Sequence, residues 1–155
     1  MDIVVTSINQ TFGEDGQTSQ IIVALNGSST DGSGDYFNSS VNVTSKDLPS
    51  GSDFDTILDS EIETLARKKL ADYAASSMPI RVSGITRNYD QQTHEIASDV
   101  VSLRGNATDG SGDYINYRVT ITRADLPTDK TFETMTAGDL KTLAKAKLVA
   151  VTKVA

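Results

Sequence analysis

The sequence predicts an α+β fold made of two tandem β-β-β-α repeats related by a pseudo-two-fold axis, with a mainly antiparallel sheet and two helices. Three observations predict it: a motif that occurs twice, alternating β-branched residues around each copy, and an amphipathic helical pattern that closes each half. We expect residues 1–78 and 79–155 to be the two repeats. They would meet near 76–79 and share one compact fold.

The internal repeat can be read directly from the letters. The segment Thr30–Tyr36, TDGSGDY, returns unchanged as Thr108–Tyr114, an offset of 108 − 30 = 78. Similar residues continue at this offset through the second half, as in the DLP triplets that begin at Asp47 and Asp125. Upstream the offset is 77, where Ile3 matches Ile80. Chance cannot plausibly produce this pattern, so we interpret the chain as a duplicated unit.

Each unit opens with three predicted strands, because β-branched residues alternate with polar ones and glycine-rich turns separate the runs. In the first unit the strands are predicted over 2–12, 19–28 and 37–45. Strict alternation in the first strand predicts one face with Ile3, Val5 and Ser7 and an opposite face with Val4, Thr6 and Ile8.

Each unit ends in a predicted helix, over 58–75 and 137–152, because apolar residues recur at three- and four-residue steps. The stripe of the first helix is Leu58, Ile62, Leu65, Ala66, Leu70 and Tyr73. Asp59 or Ser60 is expected to cap it, and Thr136 followed by Asp139 is expected to cap the second helix.

Composition excludes several classes of function. The chain has 155 residues, with 14 basic and 21 acidic residues and a net charge of −7, which disfavours nucleic acid and anionic membranes as partners. It has no cysteine and a single histidine, which removes thiolate catalysis and multi-histidine metal sites. No apolar stretch approaches the roughly 20 residues of a membrane span. No signal peptide is visible at the N-terminus, so we expect synthesis in a host cytoplasm.

Charge is distributed unevenly between the halves. Residues 1–78 contain 4 basic and 12 acidic residues, net −8, whereas residues 79–155 contain 10 and 9, net +1. One interpretation is drift on solvated surfaces. The other is that the acidic half of one subunit packs against the more basic half of the next, since complementary potentials set the register of such contacts.

The repeated loop is the one motif whose residues could bind a ligand. Its alternating oxygen-bearing residues, which could ligate calcium, are Asp31, Ser33, Asp35, Asp109, Ser111 and Asp113. The EF-hand pattern is incomplete, because Tyr36 and Tyr114 stand where its glycine belongs and no glutamate follows at its twelfth position. The alternative is a connecting loop in which Asp and Gly serve turn geometry.

His94 does not predict an enzyme. It falls in the first hairpin of the second unit, and the chain lacks both a Gly-x-Ser-x-Gly elbow and a Gly-Lys-Ser/Thr phosphate loop. The apolar run 148–155 is interpreted either as the last turns of the second helix or as an arm that docks on a neighbour.

In character the chain resembles an accessory structural protein of a tailed-bacteriophage virion: small, acidic, free of cysteine and tryptophan, and duplicated in Ser/Thr/Asn/Gly-rich strands. The resemblance implies a capsid-decorating (cement) protein, or a tail or neck component. Such a protein would bind itself or other virion proteins in many copies, without catalysis or a cofactor. A calcium- or ligand-binding interaction module is the alternative from the residues themselves.

Overall fold

The structure is a computed structural model that describes residues 1–154. In chain order its elements are β1 (Asp2–Phe12), β2 (Thr18–Ser28), β3 (Tyr36–Thr44), α1 (Asp59–Asp72), β4 (Ile80–Tyr89), β5 (Ile96–Asn106), β6 (Tyr114–Thr122) and α2 (Ala137–Thr152). A π-helical turn over Tyr73–Ser77 extends α1. The predicted α+β class, with an antiparallel sheet and two helices, is confirmed.

All six strands form one antiparallel sheet in the order β1-β2-β3-β6-β5-β4. The third strand of each half therefore lies at the centre, and the first strand of each half lies at an edge. The central ladder pairs Tyr36 with Arg118 and Ser40 with Tyr114. We call this contact the β3–β6 junction.

Both helices cover the same face of the sheet, which makes a two-layer structure. Alternate residues of the central strands, such as Val23, Val41 and Val119, are buried in one cluster with Leu70 of α1 and Leu148 of α2. The opposite face carries mostly Asn, Ser and Thr side chains. This patterning is typical of an antiparallel sheet with one packed face and one face toward solvent.

The predicted faces of β1 are wrong beyond Val5. A β-bulge between Val5 and Ser7 shifts the register, so that Val5 lies opposite Leu25 and Ile8 lies opposite Val23. Both partners belong to the core, and Ile8 accordingly packs against the core together with Val5. An extra residue in one strand reverses the alternation after it, which a period-2 count does not anticipate.

The predicted stripe of α1 is correct for its interior but wrong for Leu58, whose side chain is 64% exposed. Ile62, Ala66 and Leu70 are buried as expected. The helix begins at Asp59, so neither Asp59 nor Ser60 occupies the N-cap, which falls on Leu58 instead. In α2 the predicted pair is confirmed: the Asp139 amide donates to Thr136 Oγ1 at 3.1 Å, and the Thr136 amide donates to the Asp139 carboxylate at 3.0 Å.

The apolar C-terminal run continues α2 as far as Thr152. Leu148 and Thr152 are buried, whereas Val149 and Val154 are exposed. Ala155, the last residue of that run, lies outside the described residues. Among residues 1–154 neither helix has the length and hydropathy needed to cross a membrane.

Candidate functional site

The two TDGSGDY loops are built as tight turns. In each loop the first aspartate accepts a hydrogen bond from the amide two residues later, Ser33 to Asp31 Oδ1 at 2.9 Å and Ser111 to Asp109 Oδ1 at 3.0 Å. The glycines of both loops have positive φ values between 73° and 80°, a region that strains any residue with a Cβ. Turn geometry therefore explains the glycines and the first aspartate.

The last aspartate of each loop reaches across the β3–β6 junction to the other half. Asp35 Oδ1 accepts hydrogen bonds from the amide of Thr120 at 2.8 Å and from its hydroxyl at 2.6 Å. Asp113 Oδ1 accepts from the amide of Asn42 at 2.8 Å and from its side-chain amide at 2.6 Å. Each carboxylate thus continues the central ladder where its own backbone leaves the sheet.

The two ends of the junction differ in their surroundings. Asp113 is buried, with 1% of its surface exposed, and its second oxygen accepts a hydrogen bond from the Tyr73 hydroxyl at 2.5 Å. Asp35 is only half-buried. At the repeat offset of 78, Tyr73 corresponds to Val151, so the second half supplies no hydroxyl at that place.

A small polar cluster surrounds Asp113. The Asn42 side-chain amide also donates to the carbonyl of Ser111 at 2.7 Å, and the Lys69 ammonium donates to the carbonyl of Asn42 at 2.7 Å. The side-chain oxygen of Asn42 is buried and accepts no hydrogen bond among the described residues. Sequence patterns placed Tyr73 in the apolar stripe of the first predicted helix and gave Asn42 no role in a site. The contacts that join both residues to Asp113 could not be read from local patterns, because Asp113 lies 71 residues from Asn42 and 40 from Tyr73.

The ionisation of these groups follows their contacts. Hydrogen bonds from the Ser33 hydroxyl and amide lower the pKa of Asp31 to about 2, and those from Ser111 lower the pKa of Asp109. Burial and the hydrogen bond to Asp113 raise the pKa of the Tyr73 hydroxyl. Tyr73 therefore stays neutral and acts as a donor at neutral pH.

The six candidate calcium ligands contribute two carboxylates and one serine hydroxyl to each loop. Within residues 1–154 no group of three or more His, Asp or Glu side chains is arranged to hold a metal ion. Their oxygens make the turn and junction contacts described above. Calcium binding stays the untested alternative to the turn interpretation of these loops.

His94 lies at the exposed tip of the β4–β5 hairpin. Its φ is 58°, a left-handed conformation, and its amide donates to the carbonyl of Asp90 at 2.9 Å. It is therefore placed as a turn residue.

A basic groove lies where the first half joins the second. It has a volume of about 590 Å³ and contains the cations Arg81, Arg104 and Lys145 beside Met78, Pro79 and Ile80. Arg81 and Arg104 stand directly opposite each other in the β4–β5 ladder. No acidic residue lines this groove, and none of the three cations forms an ion pair among the described residues. The sequence did not indicate this groove, because its three basic residues are far apart along the chain and only the fold brings them together.

No known family model matches this chain, and neither the curated proteins nor the solved structures contain a significant match.

Proposed function

We propose that this chain is a non-enzymatic structural protein of a phage virion that binds the capsid surface, or another virion protein, in many copies. The observation that carries the proposal is the use of the repeated motif. The carboxylates of Asp35 and Asp113 accept hydrogen bonds from the opposite half of the chain. The one motif-like element of the sequence therefore has a structural role.

We further propose that the halves 1–78 and 79–155 are tandem β-β-β-α repeats related by a pseudo-two-fold axis through the β3–β6 junction. Asn38 lies opposite Asn116, and these residues are separated by the repeat offset of 78. The contacts of Asp35 and Asp113 are reciprocal, because Asn42 and Thr120 are also 78 residues apart. An internal pseudo-dimer suits a position at or near a symmetry axis of a particle.

The open face of the sheet supports a role in protein contacts. Side-chain hydrogen bonds run across its strands, from Asn26 to Thr6 at 2.8 Å, from Asn38 to Asn26, and from Arg104 to Asn116 at 3.1 Å. These polar groups are fixed in place before any partner arrives, which lowers the entropic cost of binding. An open polar face of this kind suits a hydrated interface with another protein.

Among virion roles, decoration of the capsid is preferred, and a tail or neck position is the alternative. The test is mass spectrometry of purified particles from the host that makes this protein, followed by electron microscopy of particles to which the purified protein is added. We expect the chain to co-purify at a high copy number and to add density to the capsid. Density confined to the tail or neck would select the alternative. Absence from all purified particles, and no binding to them, would contradict the proposal.

A further inference from the structure

Leu58 is placed where its side chain weakens the isolated molecule. It occupies the N-cap of α1 and is 64% exposed. Its side chain has no oxygen to accept from the first-turn amides, which favour Ser, Thr, Asp or Asn at this position. The corresponding residue at the repeat offset is Thr136, which does cap α2. One half therefore gives up a cap and exposes an apolar side chain, a departure from local rules that is expected at functional positions.

Carboxylates precede and follow this exposed leucine along the chain. We define the acidic segment as residues 53–61, which contain Asp53, Asp55, Asp59 and Glu61 and no basic residue. None of these four carboxylates forms an ion pair among the described residues. The acidic segment thus carries an exposed apolar side chain among four carboxylates that form no ion pair within residues 1–154. Two of them accept amide hydrogen bonds within the segment, Asp53 from Asp55 and Glu61 from Leu58.

The basic groove has the complementary character. Its cations Arg81, Arg104 and Lys145 lie beside Met78, Pro79 and Ile80, of which Pro79 is exposed. Like charges directly opposed across two strands, as in Arg81 and Arg104, destabilise a sheet unless an anion lies between them. Carboxylates from a partner therefore relieve the repulsion between these cations, and the exposed Pro79 offers an apolar contact to a partner's side chain.

One molecule cannot fill its own groove with its own acidic segment. Leu58 precedes the first turn of α1, whereas Ser76 and Ser77 of the groove follow its last turn. A helix of this length separates its ends by roughly 20 Å. The two surfaces thus face different neighbours, and a contact between them is heterologous, which generates rings or filaments.

We propose that Leu58 and the carboxylates of the acidic segment dock head-to-tail into the basic groove of a second copy of this chain. The proposal rests on the proposed function, in which many copies assemble. In this contact the acidic first half of one copy meets the more basic second half of the next copy, which gives the charge difference between the halves a role.

Sedimentation velocity over a range of protein concentration and ionic strength tests the contact. Leu58→Thr removes the docking side chain but restores a cap, so it leaves folding intact. Lys145→Glu reverses a charge in the groove, and Lys141→Glu is its matched control one helical turn away. We expect Leu58→Thr and Lys145→Glu each to weaken self-association roughly tenfold, a factor equal to about 1.4 kcal/mol, while Lys141→Glu leaves it unchanged. Added salt should weaken it as well.

A mixture of the variants tests the head-to-tail geometry. Leu58→Thr retains its groove and Lys145→Glu retains its leucine, so an equimolar mixture should restore dimers but nothing larger. Carbodiimide cross-linking of isotope-labelled and unlabelled wild-type protein should join Lys145 to the acidic segment between copies. Cross-links only within one copy, or self-association that is absent or unaffected by either variant, would overturn the proposal.

The outcomes separate this inference from the proposed function. A strictly monomeric protein that is nonetheless present in virions would contradict the docking contact and leave the virion role. Salt-sensitive head-to-tail assembly of a protein that is absent from every particle would support the docking contact and contradict the virion role.

Discussion

Asn38 lies directly opposite Asn116 at the centre of the β3–β6 ladder, and the two residues are separated by the same 78 positions as the repeated motif. On either side of this pair the carboxylates of Asp35 and Asp113 bind amides of the opposite half. The junction between the halves is therefore held by main-chain pairing in the middle and by one aspartate at each end. Because one end is buried more deeply, the two aspartates should differ in their contribution to stability.

We predict that Asp113→Ala lowers the free energy of unfolding by about 3 kcal/mol and that Asp35→Ala lowers it by about 1 kcal/mol. Removing Asp113 leaves the Asn42 amide and the Tyr73 hydroxyl buried without an acceptor, whereas the groups around Asp35 can reach water. Urea unfolding followed by circular dichroism measures both values. Equal losses for the two variants would contradict the asymmetry.

The ion pair between β4 and β5, whose carboxylate is buried and whose arginine reaches the surface, yields a second prediction. The Asp99 side chain is fully buried and accepts two hydrogen bonds from Arg87, both at 2.9 Å. Arg87→Gln should cost about 3 kcal/mol, because it leaves a buried carboxylate without its counter-ion. At the matching ladder position of the first half, Gln10 lies opposite Ile21.

The double variant Arg87→Gln plus Asp99→Ile copies that arrangement and should recover most of the loss, since an isoleucine replaces the buried carboxylate. Thermal unfolding of the two single variants and the double variant forms a complete cycle. A double variant no more stable than Arg87→Gln would show that the ion pair is not replaceable by the first half's residues.

The N-caps of the two helices predict opposite effects for reciprocal substitutions. Leu58→Thr should raise the free energy of unfolding by about 0.5 kcal/mol, because a hydroxyl oxygen becomes able to accept from the first turn of α1. Thr136→Leu should lower it by about 1 kcal/mol, because α2 loses the bond to the Asp139 amide. Chemical unfolding at low protein concentration keeps self-association out of the comparison. A loss of stability in Leu58→Thr would contradict this account.

The cap of α2 also predicts a dependence on pH. The Lys130 ammonium and the Thr136 amide lower the pKa of Asp139 from 3.8 to about 2. The folded state therefore favours the carboxylate, and its stabilising contribution is present above pH 4 and is lost as the pH falls to about 2. Asp139→Asn should destabilise the protein at pH 7 but make no difference near pH 2.

Thermal unfolding at several pH values measures this effect. Asp129→Asn is the matched control, since Asp129 accepts no hydrogen bond among the described residues, and it should leave the acid limb of the stability curve unchanged. The same loss at pH 2 as at pH 7 for Asp139→Asn would assign its effect to something other than ionisation.

For the repeated loops we predict that millimolar calcium produces no saturable heat in calorimetry and no rise in Tm. The Asp31 and Asp109 carboxylates already accept amide hydrogen bonds, and Asp35 and Asp113 are held by the opposite half, so an ion would have to displace these contacts. The double variant Asp31→Asn plus Asp109→Asn is the control. A saturable heat in the wild type that this variant lacks would restore the calcium interpretation.

Local patterns in the sequence predicted the element types, both helices and the Thr136 cap. They failed where one residue changed the count: the bulge after Val5 moved Ile8 to the core face, and the start of α1 at Asp59 left Leu58 exposed. Leu58 stands at the position that corresponds to Thr136 at the repeat offset. This difference in the sequence indicates that the two helices are capped differently.

The sequence by itself determined the element types and the turn geometry of the two TDGSGDY loops, because periodicity and positive-φ glycines act over a few residues. Only the tertiary structure decided that β3 pairs with β6, that Asp35 and Asp113 bind the opposite half, and that Arg81, Arg104 and Lys145 line one groove. The alternation of apolar and polar residues would allow several different strands to pair with β3. The choice among them depends on how both apolar faces are buried together beneath two helices, a property of the whole chain.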